Sequence, residues 1–123
     1  MEVLAGRVLL HPVDMQRSLA FYRDTLGLAV AREFPGGTVF FIGSGFLELS
    51  GSADAPAGAA VALWLQVRDL EAAHRELAAH VVREPRQELW GLHEMWIADP
   101  DGTRIVLVEV PADHPIRRDT RTL

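Results

Sequence analysis

Two stretches carry apolar residues at helical spacing, each behind an aspartate. In the first, Met15, Leu19, Tyr22 and Leu26 are spaced four, three and four, which puts them on one face of a helix over residues 15–27. Asp14 is placed to cap the free N–H groups of its first turn, and Gly27 is the expected stop. In the second, Leu70, His74, Leu77 and Val81 repeat that spacing behind Asp69. Each lies 55 residues after its counterpart, Leu70 after Met15 being the first pair.

Around these helices the pattern changes to short β-branched and aromatic runs. Residues 6–12, 28–32, 38–42 and 46–50 read as strands, and so do 61–67, 81–84 and the two arms of 90–110. Asp99-Pro100-Asp101-Gly102 is a turn between those arms: Pro100 presets φ, and Gly102 takes positive φ without a Cβ clash. Ile105, Val106, Leu107 and Val108 follow without alternation, so both faces of that strand are expected to be covered. Each half therefore reads strand, helix, three strands. The predicted fold is α+β, two βαβββ modules forming a curved mixed sheet around a cup. Module one covers about 6–50, a small, polar linker 51–58, module two 59–111 and a tail 112–123, all within a single domain. The bare faces are expected to form the cup within one chain or across a dimer.

Composition narrows the function classes. Seventeen acids against twelve bases, net charge −5, argue against a general nucleic-acid binder. Basic residues are scattered, except Arg117, Arg118 and Arg121, which read as a solvated tail. With no cysteine there is no disulfide, thiolate nucleophile or cysteine-ligated metal. No apolar run approaches the ~18 residues of a membrane span, and Met1 to Arg7 does not read as a signal segment. A cytoplasmic protein with no membrane partner is expected.

The stretches VDMQRSLAFYRDTLGL and WGLHEMWIADPDGTRIVLVEV resemble the vicinal oxygen chelate superfamily, which contains glyoxalase I, the bleomycin-resistance proteins and the extradiol dioxygenases. The resemblance spans nearly the whole chain. It implies a cup that, in metal-dependent members, holds a divalent cation on up to four side chains. By motif spacing those positions are Arg7, Glu48, Ala62 and Val106 here. Only Glu48 is a metal-ligand type, so no metal and no cofactor are expected.

Strand alternation adds the other inward residues: Leu9 and His11 with Arg7, Phe46 and Ser50 with Glu48, Trp64 and Gln66 with Ala62, and Arg104 and Val108 with Val106. Trp90, His93 and Met95 are further candidates whose register is open. Aromatic walls with a few charges suit a hydrophobic or aromatic small molecule. Arg7 and Glu48 are expected to pair, either plugging the cup or contacting a ligand. His11, Glu48 and His93 are the candidate acid–base groups, although His11 reads first as a strand-end histidine bonded to backbone. Trp64 and Trp90 suit stacking, or packing in a core or dimer interface. His74 reads as packing, and His80 and His114 as solvent-facing.

Three functions stay in competition. The first is a metal-independent binding protein that sequesters a small molecule, as the resemblance to bleomycin-resistance proteins implies. The second is a lyase, isomerase or dioxygenase-type enzyme with a non-standard site. The third is a ligand-free structural or regulatory homodimer. A homodimer is expected in any case, because short sheet edges and exposed aromatics call for a second copy.

Overall fold

Asp14 and Asp69 do what the sequence assigns them. In a computed structural model of the chain, which describes residues 1–118, Asp14 Oδ1 accepts the Arg17 N–H at 3.2 Å and Asp69 Oδ1 accepts the Ala72 N–H at 3.0 Å. The helices α1 (Met15–Ala20) and α2 (Leu70–Glu76) start there. Neither continues as the regular helix the apolar spacing predicts. The first passes into a wide π-helical turn, Phe21–Thr25, in which the Leu26 N–H reaches back to the Phe21 carbonyl. The wider turn lets both Phe21 and Tyr22 bury against the sheet. The second tightens into a 3-10 turn, Ala78–His80. Gly27 then ends the first segment at φ +69°.

The eight strands form two four-stranded mixed sheets. β1 (Val8–Leu10), β2 (Val30–Phe34), β3 (Gly37–Ile42) and β4 (Gly45–Ser50) lie in the order β1-β4-β3-β2. β5 (Ala62–Gln66), β6 (Val81–Gln87), β7 (His93–Ala98) and β8 (Arg104–Glu109) repeat it as β5-β8-β7-β6. In each sheet the strand before the helix pairs in parallel with the last strand, and the other pairings are antiparallel. The α+β architecture and the βαβββ repeat are as the sequence predicts.

The chain divides into two compact units. The first is Met1–Ala60 together with the turn Asp99–Thr103, and the second is Val61–Ala98 with the described residues from Arg104 onward. Within the first unit the Asp99 carboxylate organises that turn: Oδ1 accepts the N–H groups of Asp101 and Thr103, and Oδ2 accepts the Tyr22 hydroxyl at 2.7 Å. Burial, and then the Asp99 charge, push the Tyr22 hydroxyl far above its ordinary pKa, so it stays a donor. The Val13 N–H donates to Asp101 Oδ2 at 3.0 Å.

One face of each sheet carries the core. In the first unit Tyr22, Phe40, Leu47 and Leu49 are almost fully buried, with Tyr22 and Phe40 in ring contact. In the second, Met95, Ile97, Ile105 and Leu107 bury with Leu70 and Leu77 of the helical segment. Among the described residues no helix is long and apolar enough to cross a membrane. Of the basic tail, Arg121 lies outside the described residues.

Candidate functional site

The faces away from the helices carry the charged and aromatic residues, and register decides which side chains share them. On the first sheet, Leu9, Glu48 and Val39 are aligned across three strands, and Phe41 lies opposite Phe46. Arg7 Nη1 donates to Glu48 Oε1 at 2.8 Å, and the Ser50 hydroxyl donates to Oε2 at 2.7 Å. The Ser50 bond, then the Arg7 bond, hold the Glu48 carboxyl below the ordinary carboxylate range, which makes it a poor proton acceptor near neutrality. Phe41 and Phe46 are in ring contact beside this pair, with the Arg7 guanidinium 6.0 Å from the Phe46 ring. Leu9 stays 51% exposed on the same face.

His11 belongs to this cluster through backbone rather than side chains. Its Nδ1 lies 2.7 Å from the Ser50 carbonyl. A carbonyl only accepts, so Nδ1 carries the proton, and Nε2 is left as the nitrogen able to take another.

On the second sheet three rows run across the strands. Ala62, Arg104 and Ala98 make one row; Trp64, Val106, Trp96 and Arg83 the next; Gln66, Val108, Glu94 and Arg86 the third. Trp64 is 49% exposed and half-open to solvent. Trp96 is held between two cations, one from each neighbouring strand: the Arg83 guanidinium lies 4.2 Å and the Arg104 guanidinium 4.1 Å from its ring centre. Arg83 is ion-paired with buried Glu88 at 2.5 Å and also donates to the Glu94 carbonyl. Burial pushes the Glu88 carboxyl up, but bonds from Arg83 and Arg86 outweigh that and hold it below the ordinary range. Trp90 closes the far end, its indole N–H on Glu94 Oε2 at 2.7 Å and its carbonyl 2.8 Å from His114 Nε2.

Several expectations need correction here. His93 and Met95 do not share the face of Trp64 and Arg104. Glu94 and Trp96 do, so strand alternation turns His93 and Met95 to the helix side. Met95 is fully buried there, and His93 lines a separate hollow of about 310 Å³ with Asp69, His74 and Glu109. This removes His93 from any acid–base set on the open face. His74 does more than pack: its Nε2 lies 2.7 Å from a Glu84 carboxylate oxygen. His114 is partly buried and accepts the Ile116 N–H on Nδ1, while His80 is partly buried rather than solvent-facing. Sequence reasoning missed Trp96, Arg83, Glu88 and Glu94. The turn at Asp99–Thr103 could have supplied Trp96, because counting outward from it pairs Ala98 with Arg104 and hence Trp96 with Val106.

The four positions that the resemblance assigns to a divalent cation can be tested on their donors. Ala62 and Val106 offer none, Arg7 is a permanent cation, and both oxygens of Glu48 are already bonded. A divalent ion wants about four to six donors, so this set does not fit one. Among the described residues no three His, Asp or Glu side chains are grouped to hold a metal.

Comparison with known proteins places the fold. A structure from Nocardioides, a glyoxalase/bleomycin resistance protein/dioxygenase, superposes with a TM-score of 0.74 at 19% identity, covering 94% of this chain and 89% of that one. A protein of unknown function from Agrobacterium tumefaciens str. C58 gives 0.72 at 22% identity, covering 90% and 95%. A lactoylglutathione lyase from Agrobacterium tumefaciens gives 0.66 at 22%, covering 89% and 94%. At these identities the likeness is one of fold alone. No curated protein matches the chain in sequence. Residues 5–107, however, match the profile described as the Glyoxalase/Bleomycin resistance protein/Dioxygenase superfamily. The chain belongs to that superfamily.

Proposed function

We propose that the protein binds a planar, largely apolar small molecule without a metal ion, on the open face of its second sheet. One observation carries the reading: Trp64 stands half-exposed beside Val106, in the same row as the Arg-clamped Trp96. A large aromatic left open next to rigid neighbours is a stacking platform whose shape needs little reorganisation on binding. The donor set at the family's metal positions supports metal independence, since its only carboxylate is committed to Arg7 and Ser50. The superfamily's name includes bleomycin resistance, and sequestration of an antibiotic is one biological use of such a platform.

The test is titration of naphthyl, indolyl and quinoline compounds in chelator-treated buffer, read by tryptophan fluorescence. Saturable quenching is expected, and Trp64→Ala should weaken affinity at least tenfold, about 1.4 kcal/mol. Trp64 is half-exposed, so the same substitution should alter stability by no more than about 0.5 kcal/mol. Absence of quenching across the panel, or quenching only after metal is added, would sink the reading.

A further inference from the structure

We infer that Arg104 is an anion-recognition subsite, so that the ligand stacking on this face is a planar aromatic bearing a carboxylate. The inference rests on the binding reading above and adds the ligand's charge.

The two cations on Trp96 are not equivalent. Arg83 is neutralised by Glu88 and further tied to the Glu94 carbonyl. Among the described residues the Arg104 guanidinium has no hydrogen bond and no ion pair; it lies against the Trp96 ring. The acids closest in sequence, and Glu94 on the same face, have partners of their own. Asp99 serves Tyr22, Asp101 and Thr103, and Asp101 accepts from Val13. Glu94 sits four residues along the strand from Ala98, Arg104's neighbour, which is roughly 13 Å at the usual strand rise. It is held by Trp90 besides. A partly buried guanidinium beside a second cation, in no ion pair among the described residues, is an arrangement that a bound anion relieves.

Shape agrees with charge. The residues level with Arg104 on either side are Ala62 and Ala98, the smallest pair in the three rows. Small neighbours leave the base of the Arg104 side chain uncrowded, and a guanidinium fork suits a bidentate oxyanion. Trp64 stands one row away, two residues along the strand from Ala62. The Arg104 guanidinium lies over Trp96, in the row of Val106 and Trp64, so a ring laid on Trp64 and Val106 would point an edge substituent along that row toward it. Two further donors on the stack, Trp96 Nε1 and Arg83 Nε, are buried without partners among the described residues. They are enclosed, so an acceptor reaches them only if a flanking arginine moves; they nonetheless leave the face rich in donors and poor in acceptors.

The decisive comparison is 2-naphthoate against its neutral isostere 2-naphthamide, measured by calorimetry and fluorescence on the intact chain and on Arg104→Gln. The acid should bind the wild type at least tenfold tighter than the amide, and added salt should erode that advantage while leaving the amide's affinity level. In Arg104→Gln the preference should vanish with amide affinity retained, which also shows that the variant is folded. Arg104→Lys should keep part of the preference, since it retains the charge and loses the fork. Equal wild-type affinity for acid and amide overturns the anion subsite and leaves the stacking platform standing. A preference that survives in Arg104→Gln also overturns it. If neither naphthyl compound binds, the platform and the subsite fall together.

Discussion

The open faces of the two sheets descend from the same strand order, yet they treat charge differently. On the first, the groups around Glu48 answer one another: Arg7 meets Glu48, Ser50 completes the carboxylate, and His11 is tied to the Ser50 carbonyl, while exposed Arg32 on the edge strand lies over the Phe34 ring. On the second, Arg83 is answered by Glu88 and Arg104 is answered by an aromatic ring only. The helix-facing sides do not diverge this way. Leu47 and Leu107, in the last strand of each module, are both almost completely buried. The difference teaches where a repeat is constrained. Dense packing fixes the core face of both modules, whereas an open face carries fewer packing constraints and can diverge more.

The comparison can be broken first at the cores. If the helix faces are equivalent, Leu47→Ala and Leu107→Ala should each destabilise by about 3 kcal/mol in urea unfolding, the usual loss for a buried leucine truncated to a cavity. A large inequality between the two would refute equivalence.

Tyr22 sharpens it next. Its repeat counterpart, Leu77, has no hydroxyl, so the first unit has a buried polar anchor that the second lacks at that position. Tyr22→Phe should cost about 2 kcal/mol, because it deletes a hydrogen bond to a charged acceptor and leaves Asp99 short of a donor. It should also loosen the Asp99–Thr103 turn, seen as faster amide exchange at Thr103. A neutral outcome would mean Asp99 is satisfied by its backbone donors alone.

The smallest expected effect separates the two charge networks by pH. The folded-state pKa values of Glu48 and Glu88 both lie below the ordinary carboxylate value of 4.5. Depressed carboxylates stabilise the fold above that value, and the contribution is lost as pH falls below it. Unfolding midpoints should therefore hold from neutrality to about pH 5, then fall in acid, and the fall should be shallower in Glu48→Gln and in Glu88→Gln. An acid dependence unchanged by either substitution would show that neither pair matters to stability.

Much of this was legible from local chemistry. Asp14 and Asp69 announced both helices, Gly27 marked the end of the first helical segment, and the Asp99 to Gly102 turn announced the hairpin, because caps and turns depend on residues within one turn of themselves. The alternation that put Trp64, Gln66 and Arg104 on one face also held, once Ala62 and Val106 were taken as the anchors. What failed was the seventh strand. Its apolar residues, Met95, Trp96 and Ile97, run without alternation, so pattern could not say whether His93 or Trp96 faced outward. The π-helical and 3-10 endings were equally silent, since they answer to how the segment packs on its sheet and not to its spacing.

The sequence by itself thus determined the two βαβββ modules, their caps and turns, and the shortage of metal donors, all properties of residue type at short separation. The tertiary structure decided which charges cancel. Register across β6, β7 and β8 places Trp96 between Arg83 and Arg104, gives Glu88 to Arg83, and leaves Arg104 with two alanines for neighbours. A one-residue slip would move every one of those side chains to the opposite face, and the unalternating pattern of β7 does not by itself forbid it, although the length of the Asp99–Thr103 turn does. The burial of Met95 and Ile97 beneath the helical layer agrees with the register the turn sets, and with it fixes the arginine of the stack that has no ion pair.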